Sequence, residues 1–178
     1  TKEFIKRNGM FTVNIALMKR MGPQWKPIFG VVHAPVNRTT WFGGVDVPAT
    51  KITDAETSEI SVKKQTSTQP RLVASGSHRA ERDEKFAKEL GDHELVRMGS
   101  SLKACIVAEG SADLYPRFGP TSCWDIAAAH AVVEAAGGFV LSPQCKPLVY
   151  DLVDEVLNPY FLVTCSSKWN DIWAQNQD

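Results

Sequence analysis

From Phe11 to Leu17 the chain reads Phe-Thr-Val-Asn-Ile-Ala-Leu, with an apolar side chain at every second position until Ala16. A period of two predicts a half-buried β-strand. Residues 27–34 form a short apolar run, and residues 39–42 form another. Turn formers stand between these segments, at Gly9, Met21-Gly22-Pro23, Pro35-Val36-Asn37 and Gly43-Gly44. Short strands punctuated this way predict an antiparallel meander. Residues 53–69 are rich in Ser, Thr and charge, so an exposed connection is expected there, with one edge strand over 60–63.

Near residue 65 the rhythm changes, and two domains are expected, 1–69 and 70–178. Strands are predicted at 71–75, 93–98, 112–115, 139–141 and 161–165. They alternate with helices at 80–90, 102–108 and 123–136 and a last helical turn at 169–174. Gly91, Gly110 and Gly137-Gly138 follow the three helices, where glycine relieves the left-handed turn that ends a helix. Alternation of this kind predicts an α/β layer structure.

Composition narrows the function. Of 178 residues, 43% are hydrophobic and 22% charged, which excludes a disordered chain. Lys and Arg total 20, as do Asp and Glu, so no global field draws in nucleic acid or anionic lipid. An anionic ligand must be held by a local cluster. The apolar run 126–133 is broken by His130 and falls short of the ~20 residues that span a bilayer. The four cysteines, Cys105, Cys123, Cys145 and Cys165, form no C-x-x-C pair and have no His at zinc spacing. Cys105 and Cys123 lie among apolar neighbours and are expected to be free, buried thiols in a reducing compartment.

Three strand-to-helix turns are candidate sites, because ligands of open α/β sheets bind outside the carboxyl ends of strands. They are Ser75-Gly76-Ser77-His78, Gly99-Ser100-Ser101-Leu102-Lys103, and Pro116-Arg117-Phe118-Gly119-Pro120 running on to Trp124-Asp125. In the second, Ser100 or Ser101 is a candidate N-cap. Lys103 falls in the first helical turn, where a cation opposes the helix dipole by ~0.3–1 kcal/mol. It either answers an anion over the helix end or points into water. Arg117 either forks onto a phosphate or joins a surface salt bridge. Asp125, three residues after Ser122, either compensates the helix dipole or projects toward a hard cation such as Mg2+. His78 is a strand-end histidine whose ordinary role is a cap.

Larger elements join these turns. They are Gly99-Ser100-Ser101-Leu102-Lys103-Ala104-Cys105, then Val107-Ala108-Glu109-Gly110-Ser111-Ala112-Asp113-Leu114-Tyr115, then Trp124-Asp125-Ile126-Ala127-Ala128-Ala129-His130 and Glu134-Ala135-Ala136-Gly137-Gly138. Together they resemble the inositol-monophosphatase-like superfamily of metal-dependent phosphatases. Tyr115-Pro116-Arg117-Phe118-Gly119-Pro120-Thr121, with the Gly99 to Lys103 turn, resembles its CysQ-type 3'(2'),5'-bisphosphate nucleotidases. The likeness covers most of the chain and is weakest over 45–69.

The resemblance implies a layered αβαβα sandwich with the metal site between two domains. It implies hydrolysis of the 3'-phosphate of adenosine 3',5'-bisphosphate to AMP and phosphate, with Mg2+ as cofactor and sensitivity to lithium. The implied partner is that small nucleotide and not a nucleic acid; the implied compartment is cytoplasmic, with peripheral attachment to the inner membrane as a bacterial variant. No oligomeric state is implied. The runner-up is an inositol-phosphate or sugar-phosphate phosphatase; a non-catalytic anion-binding fragment is the rival of another class.

By residue, the resemblance makes Thr1 the threonine that orients the attacking water and Asp125 a metal ligand. His78, Ser100, Lys103 and Arg117 match nucleotide contacts, with Lys103 and Arg117 holding the 5'-phosphate. The family's Asp-Pro-x-Asp-Gly motif and its metal-binding glutamate belong upstream of Thr1. The chain is therefore expected to be the C-terminal part of such an enzyme and to be inactive alone.

Overall fold

Five antiparallel strands form the first sheet, in simple sequence order: β1 (Val13–Met21), β2 (Gln24–Ala34), β3 (Thr39–Gly44), β4 (Val47–Ile52) and β5 (Thr57–Glu59). The meander is as expected. The computed structural model describes residues 2–64, 68–74 and 81–177. A short helix, α1 (Lys2–Lys6), precedes the sheet and was not foreseen.

Four details differ from expectation. Gly43 and Gly44 belong to β3, and the turn falls one step later, with Asp46 at φ 59°. β4 was not anticipated, because Pro48, Thr50 and Lys51 blur its period. The edge strand is β5, not 60–63. Beyond β5 the chain leaves the edge register: the Val62 N–H donates to the Ala136 carbonyl at 3.0 Å and its side chain enters the core. Finally, β1 is reversed. An amphipathic strand ordinarily buries its apolar side, yet Val13, Ile15 and Leu17 are 49%, 65% and 57% exposed while Asn14, Ala16 and Met18 are half-buried.

The second sheet has the order β7-β6-β8-β10-β9, from β6 (Arg71–Ala74), β7 (Glu94–Arg97), β8 (Leu114–Arg117), β9 (Phe139–Leu141) and β10 (Phe161–Thr164). β6 is parallel to β7 and β8, and β10 is antiparallel to β8 and β9. The helices are α2 (Glu81–Leu90), α3 (Leu102–Ala108), α4 (Cys123–Ala135) and α5 (Asn170–Gln175), the last preceded by a 3-10 turn over Ser167–Trp169. β8 starts two residues later than expected, at Leu114, just after the fully buried Asp113, which pairs with Arg71.

Connection handedness places the helices. Both parallel crossovers are right-handed by rule. The first steps outward from β6 to β7 through α2, and the second steps back past β6 to β8 through α3. The reversal puts α2 and α3 on opposite faces. α3 packs on α4, β8 and β10, and α4 lies across β1, β2, β3 and β4, so this pair fills the space between the sheets. Contact there is close. A Cβ on Gly30 of β2 would sit 2.0 Å from the Ala128 carbonyl oxygen of α4. On the far face α2 meets α5, with Phe86, Phe118 and Trp173 rings in contact. The described layers are therefore sheet, helices, sheet, helices, the expected α/β layered sandwich.

His130 interrupts the apolar stretch of α4, with its Nε2 3.3 Å from Glu134 Oε1. Its Nδ1 lies 2.8 Å from the Tyr150 hydroxyl, and burial lowers its pKa. All four cysteines are free thiols, but only Cys105 and Cys165 are buried; Cys123, expected buried, is half-buried. Among the described residues no helix is long and apolar enough to cross a membrane.

Candidate functional site

β6, β7 and β8 run the same way, so their carboxyl ends share one edge. From β6 the chain passes to β7 on one side and then crosses back to β8 on the other, and crevices open at such a switch point. A cleft of about 440 Å³ lies there. The turn after β7 supplies Ser100, Ser101 and Lys103, the end of β8 supplies Arg117, and the start of α4 supplies Asp125. The first sheet closes the cleft with Thr12 and Asn14 of the segment entering and forming β1.

Lys103 is the most constrained of these groups. Its side chain does not point into open water; the residue is only 7% exposed. The ammonium donates to the Ser100 carbonyl at 2.9 Å and lies 5.3 Å from the centroid of the Tyr115 ring. Ser100 adopts φ 54°, a left-handed conformation uncommon outside glycine, Asn and Asp. Burial first, then the neighbouring Arg117 charge, lowers the Lys103 pKa from 10.5 to about 8; Glu3 and Asp125 act against the shift. A desolvated cation facing a cleft favours an anion that restores the lost charge balance.

Arg117 ends β8 and lines the same cleft, so the two expected cations do converge. Its Nη2 donates to the Pro120 carbonyl at 3.2 Å, and Gly119 leaves room for the guanidinium: a Cβ there would be 3.2 Å from Cζ.

Asp125 takes up the capping role first expected of it. Its Oδ2 accepts the Ser122 N–H at 2.8 Å, which completes one half of a helix-capping arrangement. The residue is also exposed and lines the cleft. The expected cap of α3 is different. Ser101 stands at the N-cap position, but its hydroxyl makes no cap bond and donates instead to Asn14 Oδ1 at 3.0 Å. Thr1 and His78 lie outside the described residues.

Sequence reasoning missed Glu3, Thr12 and Asn14 as cleft residues. Thr12 and Asn14 appear in the sequence only as the polar members of an alternating strand. The reversal of β1 turns them inward, and no local signal announces it.

As a Mg2+ site the described residues are incomplete. Glu3 and Asp125 are the acidic residues lining the cleft, and among the described residues no three His, Cys, Asp or Glu side chains group to hold a metal. Mg2+ binding generally needs more charged oxygen than one exposed carboxylate supplies. What the cleft offers an anion is two cations, Lys103 and Arg117.

The profile of the inositol monophosphatase family matches residues 1–171. The 3'(2'),5'-bisphosphate nucleotidase CysQ of Salmonella typhimurium is 46% identical over 168 residues, covering 92% of this chain and 64% of that protein. The protein of the same name from Escherichia coli K12 is 47% identical over the same shares. This chain thus spans about 64% of the length of these relatives. The crystal structure of CysQ from Bacteroides thetaiotaomicron, a bacterial member of the inositol monophosphatase family, superposes with a TM-score of 0.79 at 37% identity, over 93% of this chain and 66% of that one. Inositol monophosphatase from Anabaena shares the fold at a TM-score of 0.75 and 23% identity, over 97% of this chain and 68% of that one.

Proposed function

This chain belongs to the inositol monophosphatase family, and from that premise we propose that it forms part of a Mg2+-dependent 3'(2'),5'-bisphosphate nucleotidase. The reaction is hydrolysis of the 3'-phosphate of adenosine 3',5'-bisphosphate to AMP and phosphate. One observation carries the choice of substrate: Lys103 and Arg117 line one cleft together with Asp125. A cleft with two cations suits a substrate with a second phosphate that is not cleaved. The names of the curated relatives support the same reading.

In this reading Lys103 and Arg117 hold the 5'-phosphate. Arg117 offers a planar fork, and Lys103 a compact charge fixed by Ser100 and Tyr115. Asp125 would be one ligand of Mg2+, which when bound supplies charge neutralisation at the scissile phosphate. The other donors are not among the described residues, so no step through the metal follows from them. Ser100 stands in the cleft wall. His78 as a nucleotide contact and Thr1 as the water-orienting group remain part of the proposal. So do a cytoplasmic location, lithium sensitivity and the division into 1–69 and 70–178; the last is supported by two sheets drawn from either side of that boundary.

Turnover of adenosine 3',5'-bisphosphate against inositol 1-phosphate in the full-length protein tests the substrate. The incomplete donor set favours a second reading for this chain by itself, an anion-binding unit without catalysis. Phosphate release from the bisphosphate by these 178 residues in excess Mg2+ would refute that reading.

A further inference from the structure

Between the Lys103 turn and the start of α4 runs an unbroken line of polar contacts through β1. The Ser100 and Thr12 hydroxyls are 2.6 Å apart, and Thr12 and Ser101 are 3.1 Å apart. Ser101 donates to Asn14 Oδ1 at 3.0 Å, and Asn14 Nδ2 donates to the Trp124 carbonyl at 3.3 Å. Trp124 is the residue immediately before Asp125.

The proton directions in this line are determined. A backbone carbonyl only accepts, so the Asn14 nitrogen must face Trp124 and its oxygen must face Ser101. Asn14 Oδ1 only accepts, so the single Ser101 proton is committed to it. Ser101 can then only accept from Thr12. That uses the single Thr12 proton, so Ser100 must donate to Thr12. Each proton is used once, and all point the same way, from Ser100 to Trp124. Aligned chains of this kind polarise one another. Both ends of the Asn14 amide are occupied within the protein, which suits it to hold other groups rather than to meet a substrate.

We propose that Thr12, Ser101 and Asn14 form a positioning relay that sets the Lys103 turn and the Asp125 helix start at a fixed separation across the cleft. The proposal rests on the nucleotidase reading for its substrate but not for its geometry. The three residues are positioning residues. They hold Ser100 in its left-handed conformation, which keeps its carbonyl on the Lys103 ammonium, and they hold the backbone from which Asp125 projects. The relay also spans the two sheets' territories, since Thr12 and Asn14 come from the first half of the chain and Ser101 and Trp124 from the second. While it is intact, the Ser100 proton is engaged by Thr12 and is not offered to the cleft.

The test uses the full-length protein and a pair of substitutions at Thr12 that separate its hydroxyl from its shape. Thr12→Val preserves shape and β-branching but removes the hydroxyl; Thr12→Ser keeps the hydroxyl and gives up the methyl. A packing role favours Val, and the relay favours Ser. Calorimetry with AMP in EDTA reads the Lys103 side without metal, and kcat for adenosine 3',5'-bisphosphate reads the Asp125 side. Thr12→Val and Asn14→Ala are each expected to weaken AMP binding and lower kcat by roughly tenfold, the lower end for partners that orient a site from behind. Thr12→Ser is expected to stay within about twofold of wild type on both, on the same basis. Combining Thr12→Val with Asn14→Ala is expected to cost far less than the product of the single losses, because contacts in one network are not additive. Wild-type behaviour of Thr12→Val, a loss in Thr12→Ser as large as in Thr12→Val, or multiplication of the two single losses would each overturn the relay. If the wild-type protein neither binds AMP nor hydrolyses the bisphosphate, the substrate reading fails. The relay is then decided with inorganic phosphate as probe, where the same order of affinities, Ser above Val, is required.

Discussion

The Lys103 ammonium stands 5.3 Å from the centre of the Tyr115 ring, and both residues are buried and line the cleft. An aromatic face accommodates a desolvated cation but replaces little of the water it has lost. The cation is thereby held ready for an anion and loses its proton more easily than a lysine in water.

That relationship predicts a pH dependence. Lys103 has its folded-state pKa lowered to about 8 from 10.5. Anion binding needs the charged form, and above pH ~6 the phosphate of AMP is already a dianion. AMP affinity in EDTA should therefore be flat between about pH 6 and 8 and fall about tenfold per unit above about 8, with proton uptake on binding. Lys103→Arg should remove this dependence, because a guanidinium stays charged. Stability changes with the opposite sign. Below pH 8 both states hold the proton and burial of the charge is fully destabilising. Between about 8 and 10.5 the unfolded chain holds more protons, so this cost is relieved as pH rises. Lys103→Met should raise the melting temperature more at pH 7 than at pH 10.

In the proposed reading Arg117 sets the choice of substrate. Arg117→Ala should raise KM for adenosine 3',5'-bisphosphate roughly tenfold, equivalent to ~1.4 kcal/mol. A substrate carrying only the scissile phosphate should be nearly unaffected. Arg117→Lys should recover part of the loss, since a point charge cannot form the fork. Steady-state kinetics on both substrates decides it, and equal damage to both would remove Arg117 from the 5'-phosphate.

A stability prediction concerns Asp113, which is fully buried and receives the Arg71 Nε at 3.1 Å, the Arg71 Nη2 at 3.3 Å and the Arg71 backbone N–H at 2.7 Å. Arg71→Ala would leave a buried carboxylate without its cation. Unfolding in urea should show a loss of about 3–5 kcal/mol, the usual result of breaking a buried pair from one side. An unchanged midpoint would mean that the backbone contact alone satisfies Asp113.

The sequence and the structure agree most closely where punctuation is local. α3 ends before Gly110 at φ 75° and α4 ends before Gly137 at φ 85°, and both helices lie within a residue of their expected bounds. β1 was legible as a strand but not by face. Its alternation has the right period, while the choice of buried side depends on α4, more than a hundred residues later in the chain. β4 was invisible because its order comes from pairing with β3 and β5 rather than from its own pattern. The site divides in the same way. Lys103, Arg117 and Asp125 stand at strand and helix ends, where a linear reading can find them. Whether Lys103 met water or protein depended on Tyr115, which belongs to the next strand. Thr12 and Asn14 acquire meaning only when β1 is placed against α3 and α4.

Asp125→Asn in the full-length protein should lower kcat in Mg2+ by orders of magnitude, because a neutral amide is a poor ligand for a hard cation. The amide oxygen can still accept the Ser122 N–H, so the start of α4 and the melting temperature should change little. Near-normal turnover would leave Asp125 with its capping role alone.

The central claim is that the cleft selects a substrate with two phosphates. Its most direct test is the ratio of kcat/KM for adenosine 3',5'-bisphosphate to that for inositol 1-phosphate, measured on the full-length protein in Mg2+. With Arg117 alone contributing a charge-assisted contact to the second phosphate worth ~1.5–3 kcal/mol, the ratio should exceed about ten in favour of the nucleotide. A ratio near one, or a preference for the inositol phosphate, would contradict it.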